Sequence, residues 1–267
     1  MGEITKITKQ VKNDERYNIF MDGKYAFSVD ESVLAQFQLR KGLELDELMM
    51  SELQYKDEAK KAFNKALHFL SYRMRTEKEI RNHLKEAELD DSLIQEVIHK
   101  LSEYKYINDK EFAEAFVQTQ LNTSDKGPQW IKGELAKKGV DELLVENALT
   151  SFTTELQVDK GVAIAQKLLH KYRKDSLVQA KQKINQNLLR KGYTSSINKI
   201  VWEAIETDRS TDEQWEALTH QGMKVHKRLQ SKFSGIQYEQ KMKQTLYRKG
   251  FSLEKIDAFL EKLKNEE

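Results

Sequence analysis

Cysteine is absent from the chain, so neither a disulfide nor a thiolate metal site can hold it together, and packing must carry the fold. Proline occurs once, at Pro128, and glycine eleven times in 267 residues. Little therefore interrupts a chain rich in Lys, Glu, Leu, Gln and Ala, which favour helix. Apolar runs are short everywhere: none approaches the length of a membrane span, and Met1 to Gln10 is too polar for a signal peptide. We expect a soluble, cytoplasmic protein with no membrane partner. A phosphate-cradling loop is missing too, because neither Gly127-Pro128 nor the stretch from Gly133 to Gly139 ends in the Gly-Lys-Ser/Thr that such a loop requires. The histidines, His68, His83, His99, His170, His220 and His226, form no helical-spacing metal pair. The expectation is a protein without catalytic residues, metal or cofactor.

What the chain does have is charge. Charged residues make up 33% and hydrophobic residues 39%, so any core is thin relative to its surface, which suits an elongated stack of small units. The formal net charge of +2 hides a gradient. Residues 108–158 hold five basic and nine acidic side chains, and residues 159–206 hold ten basic and four acidic. Such polarity fits a surface that offers both signs, such as a protein filament containing DNA.

The first 50 residues differ from the rest. Tyr17 to Met21 and Tyr25 to Val29 flank Asp22-Gly23, a strong hairpin signal. A two-residue turn mixes polar and apolar pairs, whereas a loop of Asp22, Gly23 and Lys24 puts Tyr17, Ile19, Met21, Tyr25, Phe27 and Val29 on one face. Ile4 to Gln10 adds a third strand, Ser32 to Leu39 a short helix, and Lys41-Gly42 a turn.

From about Lys56 the chain repeats. Ile131, Leu135, Gly139, Val140, Leu144, Ala148 and Phe152 set a spacing that recurs from Ile184 with Gly192 and Tyr193, and from Met242 with Gly250 and Phe251. It recurs again from Ile80, with Glu88 in the glycine's place; Lys255 is the one polar lapse, beside Ile256. The pattern is a helix ending at a left-handed glycine, then an apolar residue that packs on the helix end, then a second amphipathic helix. A third helix precedes each pair: Lys60 to Met74, Glu111 to Leu121, Lys160 to Arg173 and Asp212 to Leu229. Thr76 with Glu79, Asn108 with Glu111 and Thr211 with Gln214 read as helix starts, and Pro128 as a first-turn proline. The expected fold is mostly all-α: an elongated solenoid of four tandem three-helix repeats (56–107, 108–157, 158–209 and 210–267) behind a small β-containing N-terminal cap (1–55).

Basic residues are the candidate contacts. Lys167, Lys171, Arg173 and Lys174, with Tyr172 among them, cluster in the most basic repeat and suit DNA backbone or an acidic protein groove. The pairs Lys137-Lys138, Arg190-Lys191 and Arg248-Lys249 precede the repeat glycines, where a helix dipole alone attracts positive charge. Trp130, Trp202 and Trp215 fall at helical positions and read as core rather than as binding platforms.

Four segments in order resemble the RecX family: ALHFLSYRMRTEKEIRNHL from Ala66, YIND from Tyr106, FAEAFV from Phe112 and KGPQWIKGELAKKGV from Lys126. The match spans some 75 residues, and the length resembles the longer members from low-GC Gram-positive bacteria. The resemblance implies a fold of tandem three-helix units. It also implies a monomeric, non-enzymatic modulator that binds RecA nucleoprotein filaments and inhibits or destabilises them, limiting strand exchange, RecA ATPase and coprotease activity in recombination, DNA repair and the SOS response. Single-stranded DNA is then met through the filament, or weakly alone. Its motif residues include Arg73, Arg75, Thr76, Glu79, Tyr106, Asp109, Phe112, Lys126, Gly127 and Pro128, and it supplies no catalytic group. Capping suffices for Thr76, Glu79 and Pro128, which leaves Arg73, Arg75, Arg190, Lys191 and the cluster around Lys171 as expected contacts with partner or DNA. The alternative is a helical DNA-binding protein whose three-helix units act as helix-turn-helix modules.

Overall fold

A four-stranded sheet opens the chain, and helices make up the rest. The computed structural model describes residues 2–11, 13–205 and 210–266. Strands β1 (Gly2–Lys9), β2 (Arg16–Met21) and β3 (Lys24–Asp30) are followed by helix α1 (Glu31–Gln36) and the two-residue strand β4 (Glu44–Leu45), which pairs with β1.

The hairpin resolves its own register problem. Asp22 and Gly23 both have positive φ, 50° and 80°, so the turn has two residues and is of the primed kind that matches strand twist. The three-residue loop is thus not formed. A bulge two residues later leaves Ala26 unopposed and restores the pairs Ile19–Phe27 and Tyr17–Val29. Ile19 and Val29 thereby join Ile4, Val33, Leu39 and Leu45 in the cap's core, while Tyr25 is exposed and meets Phe20 edge-on.

Helix α2 (Glu47–Ser71) runs through residue 55, where the boundary between cap and first repeat was expected. Asp46 caps it, accepting the Met49 N–H at 2.7 Å, and the helix runs on without a break. One helix serves two cores: Leu53 seats in the cap, and Ala62 and Ala66 pack in the first repeat. Buried Asp57 ties it to the sheet, accepting from Arg16 at 2.9 and 3.1 Å, from the Asp30 N–H at 2.8 Å and from Lys61 at 2.8 Å. Burial pushes its pKa up, but these donors outweigh that and hold it below the ordinary value.

Helices α3 (Glu77–Lys85) and α4 (Asp91–Glu103) complete the first repeat. The second has α5 (Asp109–Thr123), α6 (Pro128–Lys137) and α7 (Glu142–Leu149); the third has α8 (Thr154–Lys171), α9 (Leu177–Lys191) and α10 (Ser195–Ala204). The fourth has α11 (Thr211–Leu229), α12 (Gly235–Arg248) and α13 (Leu253–Glu266). The boundary expected at residue 157 falls inside α8, whose start is set by Thr153 accepting the Leu156 N–H; that expected at residue 209 touches residues 206–209, outside the described residues. Asn108 caps α5 as expected, accepting the N–H groups of Lys110 and Glu111. At α11 the cap is Ser210 with Glu213, not Thr211 with Gln214: the carboxylate of Glu213 accepts the Ser210 N–H, completing a reciprocal box.

The repeat spacing reads correctly onto the core. Ile80, Leu84, Ile131, Leu135, Ile184, Leu188, Met242 and Leu246 are all fully buried. Beside the polar lapse at Lys255, Ile256 takes the buried slot, as Val145 does beside Leu144. Gly139, Gly192 and Gly250 have φ of 83°, 95° and 87°, and Glu88 in the glycine's place has φ of 58°. The chain divides into two compact units, Met1–Phe112 with Lys138–Asp141, and Ala113–Lys137 with Glu142–Glu267.

Candidate functional site

The lysine before each repeat glycine turns out to be a clasp. In the first compact unit, Thr76 caps α3 and its hydroxyl donates to the Lys138 carbonyl at 2.7 Å, just ahead of Gly139. The Lys138 ammonium in turn donates to Glu79 at 2.9 Å. In the second unit, Ser176 caps α9 and donates to the Lys249 carbonyl ahead of Gly250, and the Lys249 ammonium reaches Gln221 at 3.0 Å. The third junction uses main chain instead of a hydroxyl: the Gly127 N–H donates to the Lys191 carbonyl at 2.7 Å, and the Lys191 ammonium pairs with Asp125. Each junction sets the open N–H groups of one helix start against the carbonyl end of the next repeat's middle helix, so unsatisfied groups of opposite sign meet.

This geometry explains most of the family motif. A Cβ on Gly192 would lie 2.4 Å from the Trp130 main-chain nitrogen, and one on Gly127 would lie 2.6 Å from the Gly192 carbonyl, so both glycines are needed for close approach, and Gly192 for its positive φ as well. Arg73 donates to both Glu79 oxygens, at 2.9 and 3.3 Å. Burial raises the proton affinity of Glu79, but donors from Arg73, Lys138 and the Thr76 N–H prevail and bring its pKa down to about 2. Asp109 accepts the Glu77 N–H at 2.9 Å; burial leads its pKa upward, helped by the charges of Glu77 and Glu79. Arg75 lies over the Phe69 ring at 4.0 Å, and His83 stacks on that ring at 4.0 Å; the Arg75 Nε is buried without a hydrogen-bond partner among the described residues. Tyr106 packs edge-on against Phe63 and Tyr104.

Arg73 and Lys191, expected as contacts, pair with Glu79 and Asp125, and Arg73 and Arg190 are exposed. Lys138, Lys191 and Lys249 occupy the same place before the glycine in three repeats, but that recurrence alone does not name their partners. The three tryptophans are half-buried, and each carries a lysine near its ring: Lys126 on Trp130, Lys181 on Trp202 and Lys262 on Trp215.

The cluster expected around Lys171 does assemble. Lys167 and Lys171 lie one turn apart in the last two turns of α8, and Arg173 and Lys174 follow in the turn to α9; all four are exposed. Tyr172 closes the helix, with Lys171 and Lys183 Nζ at 5.8 and 5.2 Å from its ring. Cations here offset the carbonyl end of α8. The turn is fixed from α11, because Gln221 Nε2 donates to the Lys174 carbonyl at 2.8 Å and to Asp175 at 3.0 Å. Basic charge is thus displayed on a held turn. Among the described residues no group of side chains is arranged to hold a metal ion, and no helix is long and apolar enough to cross a membrane.

Tandem three-helix repeats behind a small β-sheet, with basic residues displayed at helix ends, define a helical-repeat protein. Residues 2–46 match the N-terminal domain of regulatory protein RecX, 62–101 its first three-helix domain and 108–149 its second, while both 155–197 and 212–260 match its third. Regulatory protein RecX of Bacillus licheniformis is 48% identical over 263 residues, covering 98% of this chain and 99% of that protein. That of Bacillus subtilis is 46% identical, covering 98% of each. A crystal structure of regulatory protein RecX is 40% identical, with a TM-score of 0.69 over 76% of this chain and all of that one; RecX from Lactobacillus salivarius is 43% identical, with a TM-score of 0.54 over 55% of this chain and 96% of that one. The chain belongs to the RecX family of regulatory proteins.

Proposed function

We propose that this protein binds RecA nucleoprotein filaments in the cytoplasm and restrains them as a monomer, without catalysis of its own. The observation that carries the contact surface is the held turn after α8, where Lys167, Lys171, Arg173 and Lys174 project from the most basic repeat. Four cations on one turn and the adjoining helix end suit a phosphate backbone or an acidic protein groove, and ordering the turn beforehand lowers the entropic cost of binding. Inhibition then needs only that the protein prefer one filament arrangement over the active one. The alternative of a direct duplex reader has weaker support, because the dibasic-pair lysines Lys138, Lys191 and Lys249 each bond within the fold, to Glu79, Asp125 and Gln221.

The test is binding of the full chain to RecA on single-stranded DNA, beside RecA alone and DNA alone. Charge reversal at Lys171, Arg173 and Lys174 should weaken filament binding by about tenfold or more and make it less salt-sensitive, with helix content unchanged. Unaltered affinity and inhibition in that variant would remove the basic turn from the interface.

A further inference from the structure

A second surface adjoins the basic turn. Helix α11 forms the floor of an open groove of about 650 Å³, with Trp215, Thr219 and Met223 along it and Lys224, Lys227 and Lys262 at its rim. Met223 is partly exposed, although it lies in the helix whose Ala217, Leu218 and Val225 fill the repeat's core. Thr219 Oγ1 is buried and has no hydrogen-bond partner among the described residues, an uncommon condition for a hydroxyl and a costly one unless something else satisfies it. Lys224 and Lys227 are exposed and make no ion pair among the described residues. Glu216 is the single carboxylate in the lining, so the groove is net positive.

From these features we propose that the α11 groove is a docking site for an acidic peptide segment carrying a bulky apolar anchor. The apolar anchor would lie against Trp215 and Met223, and flanking carboxylates would face Lys224 and Lys227. Charge complementarity selects the sign of the partner, and the apolar floor selects a peptide over a nucleic acid. Nucleobases stack on open ring faces. The Trp215 ring offers none fully: it is half-buried, Phe259 meets it edge-on at 6.4 Å, and Lys262 Nζ lies 5.9 Å over it. Gly222 makes that arrangement possible, since a Cβ there would lie 2.4 Å from the Phe259 ring. The groove and the basic turn also share an electrostatic neighbourhood. Burial first, then the charges of Lys224 and Lys174, disfavour protonation of His220, with Asp175 opposing them. This site goes beyond the filament reading and does not depend on it, because it concerns a free peptide.

The experiment uses the full chain and a fluorescein-labelled peptide of six glutamates around a central Phe-Leu pair, followed by fluorescence anisotropy at low salt. Saturable binding is expected. The double variant K224E/K227E should bind at least about tenfold more weakly, and Met223→Glu or replacement of the Phe-Leu pair by Gly-Ser at least about fivefold more weakly. All three substituted protein positions are exposed, and circular dichroism checks that each variant keeps its helix content. Absence of saturation up to about 1 mM, or equal affinity in K224E/K227E, overturns the site. Tighter binding of an oligothymidylate of equal charge, lost in the same variants, overturns the peptide and assigns the groove to single-stranded nucleic acid.

Discussion

Thr76 donates its hydroxyl proton to the main-chain carbonyl of Lys138, 2.7 Å away and 62 residues on, while the same oxygen accepts the Glu79 N–H at 3.2 Å. Ser176 holds the Lys249 carbonyl and the Gln179 N–H in the same double role. One hydroxyl thus caps its own helix and fastens the next repeat's turn, so removing it uncovers a helix N–H and a half-buried carbonyl together. Thr76→Ala should cost about 2 kcal/mol in chemical denaturation, the combined loss of a cap and of one half-buried hydrogen bond. Thr76→Ser should fall within about 0.5 kcal/mol of the native chain, because it keeps both bonds. Equal destabilisation by the two substitutions would mean that the methyl group, not the hydroxyl, matters at this junction.

Gly192 and Gly23 both have positive φ, 95° and 80°, yet only one has a crowded neighbourhood. Nothing lies within 4 Å of a Cβ built on Gly23, whereas one built on Gly192 meets the Trp130 nitrogen at 2.4 Å. Conformation alone sets the cost at Gly23→Ala, about 1 kcal/mol. Gly192→Ala adds an overlap with main chain that no rotamer can relieve, and should cost about 3 kcal/mol or more in the same denaturation assay. Similar values at both sites would show that the junction opens to admit the methyl group.

The contrast marks what a sequence can and cannot disclose. Gly139, Gly192 and Gly250 were legible as helix ends because an apolar residue follows each of them in phase with a helical stripe, a local pattern that one segment contains entirely. Their second role, close approach to Lys78, Trp130 and Val178, depends on which repeat surface meets which, and no single segment encodes that. The same limit hid the clasp made by Lys138, Lys191 and Lys249: a cation at a helix end already has a sufficient local reason in the dipole. Helix starts show the limit at shorter range. Ser210 and Thr211 are both good caps, and the choice of Ser210 rests on the reach of the Glu213 carboxylate. Continuity of α2 across residue 55 escaped notice because its two halves feed different cores, Leu53 the cap and Ala62 the repeat, and so share no single apolar stripe. The basic turn after α8 was legible because its residues are contiguous.

Acid should act on the first repeat through Glu79, and the sign follows from its partners. Its pKa falls from 4.5 to about 2 on folding, because the donors from Arg73, Lys138 and Thr76 outweigh the burial that would raise it. A depressed carboxylate contributes stability that is fully present above the unfolded value, and that stability is lost as pH falls from 4.5 towards about 2. Asp109 works in the opposite sense: burial, with the charges of Glu77 and Glu79, lifts its pKa, so its ionisation weighs against the fold at neutral pH and its protonation relieves that. Two substitutions separate these terms. Glu79→Gln should lower the melting temperature at pH 7 and flatten its fall below pH 4.5, since no carboxylate is left there to titrate. Asp109→Asn keeps the oxygen that accepts the Glu77 N–H and removes the charge, so it should raise the melting temperature at pH 7. Melting curves from pH 7 to pH 3, read by circular dichroism, decide the matter. An acid slope in Glu79→Gln as steep as in the native chain would place the sensitivity elsewhere, with Asp57, held by Arg16 and Lys61, the next carboxylate to replace.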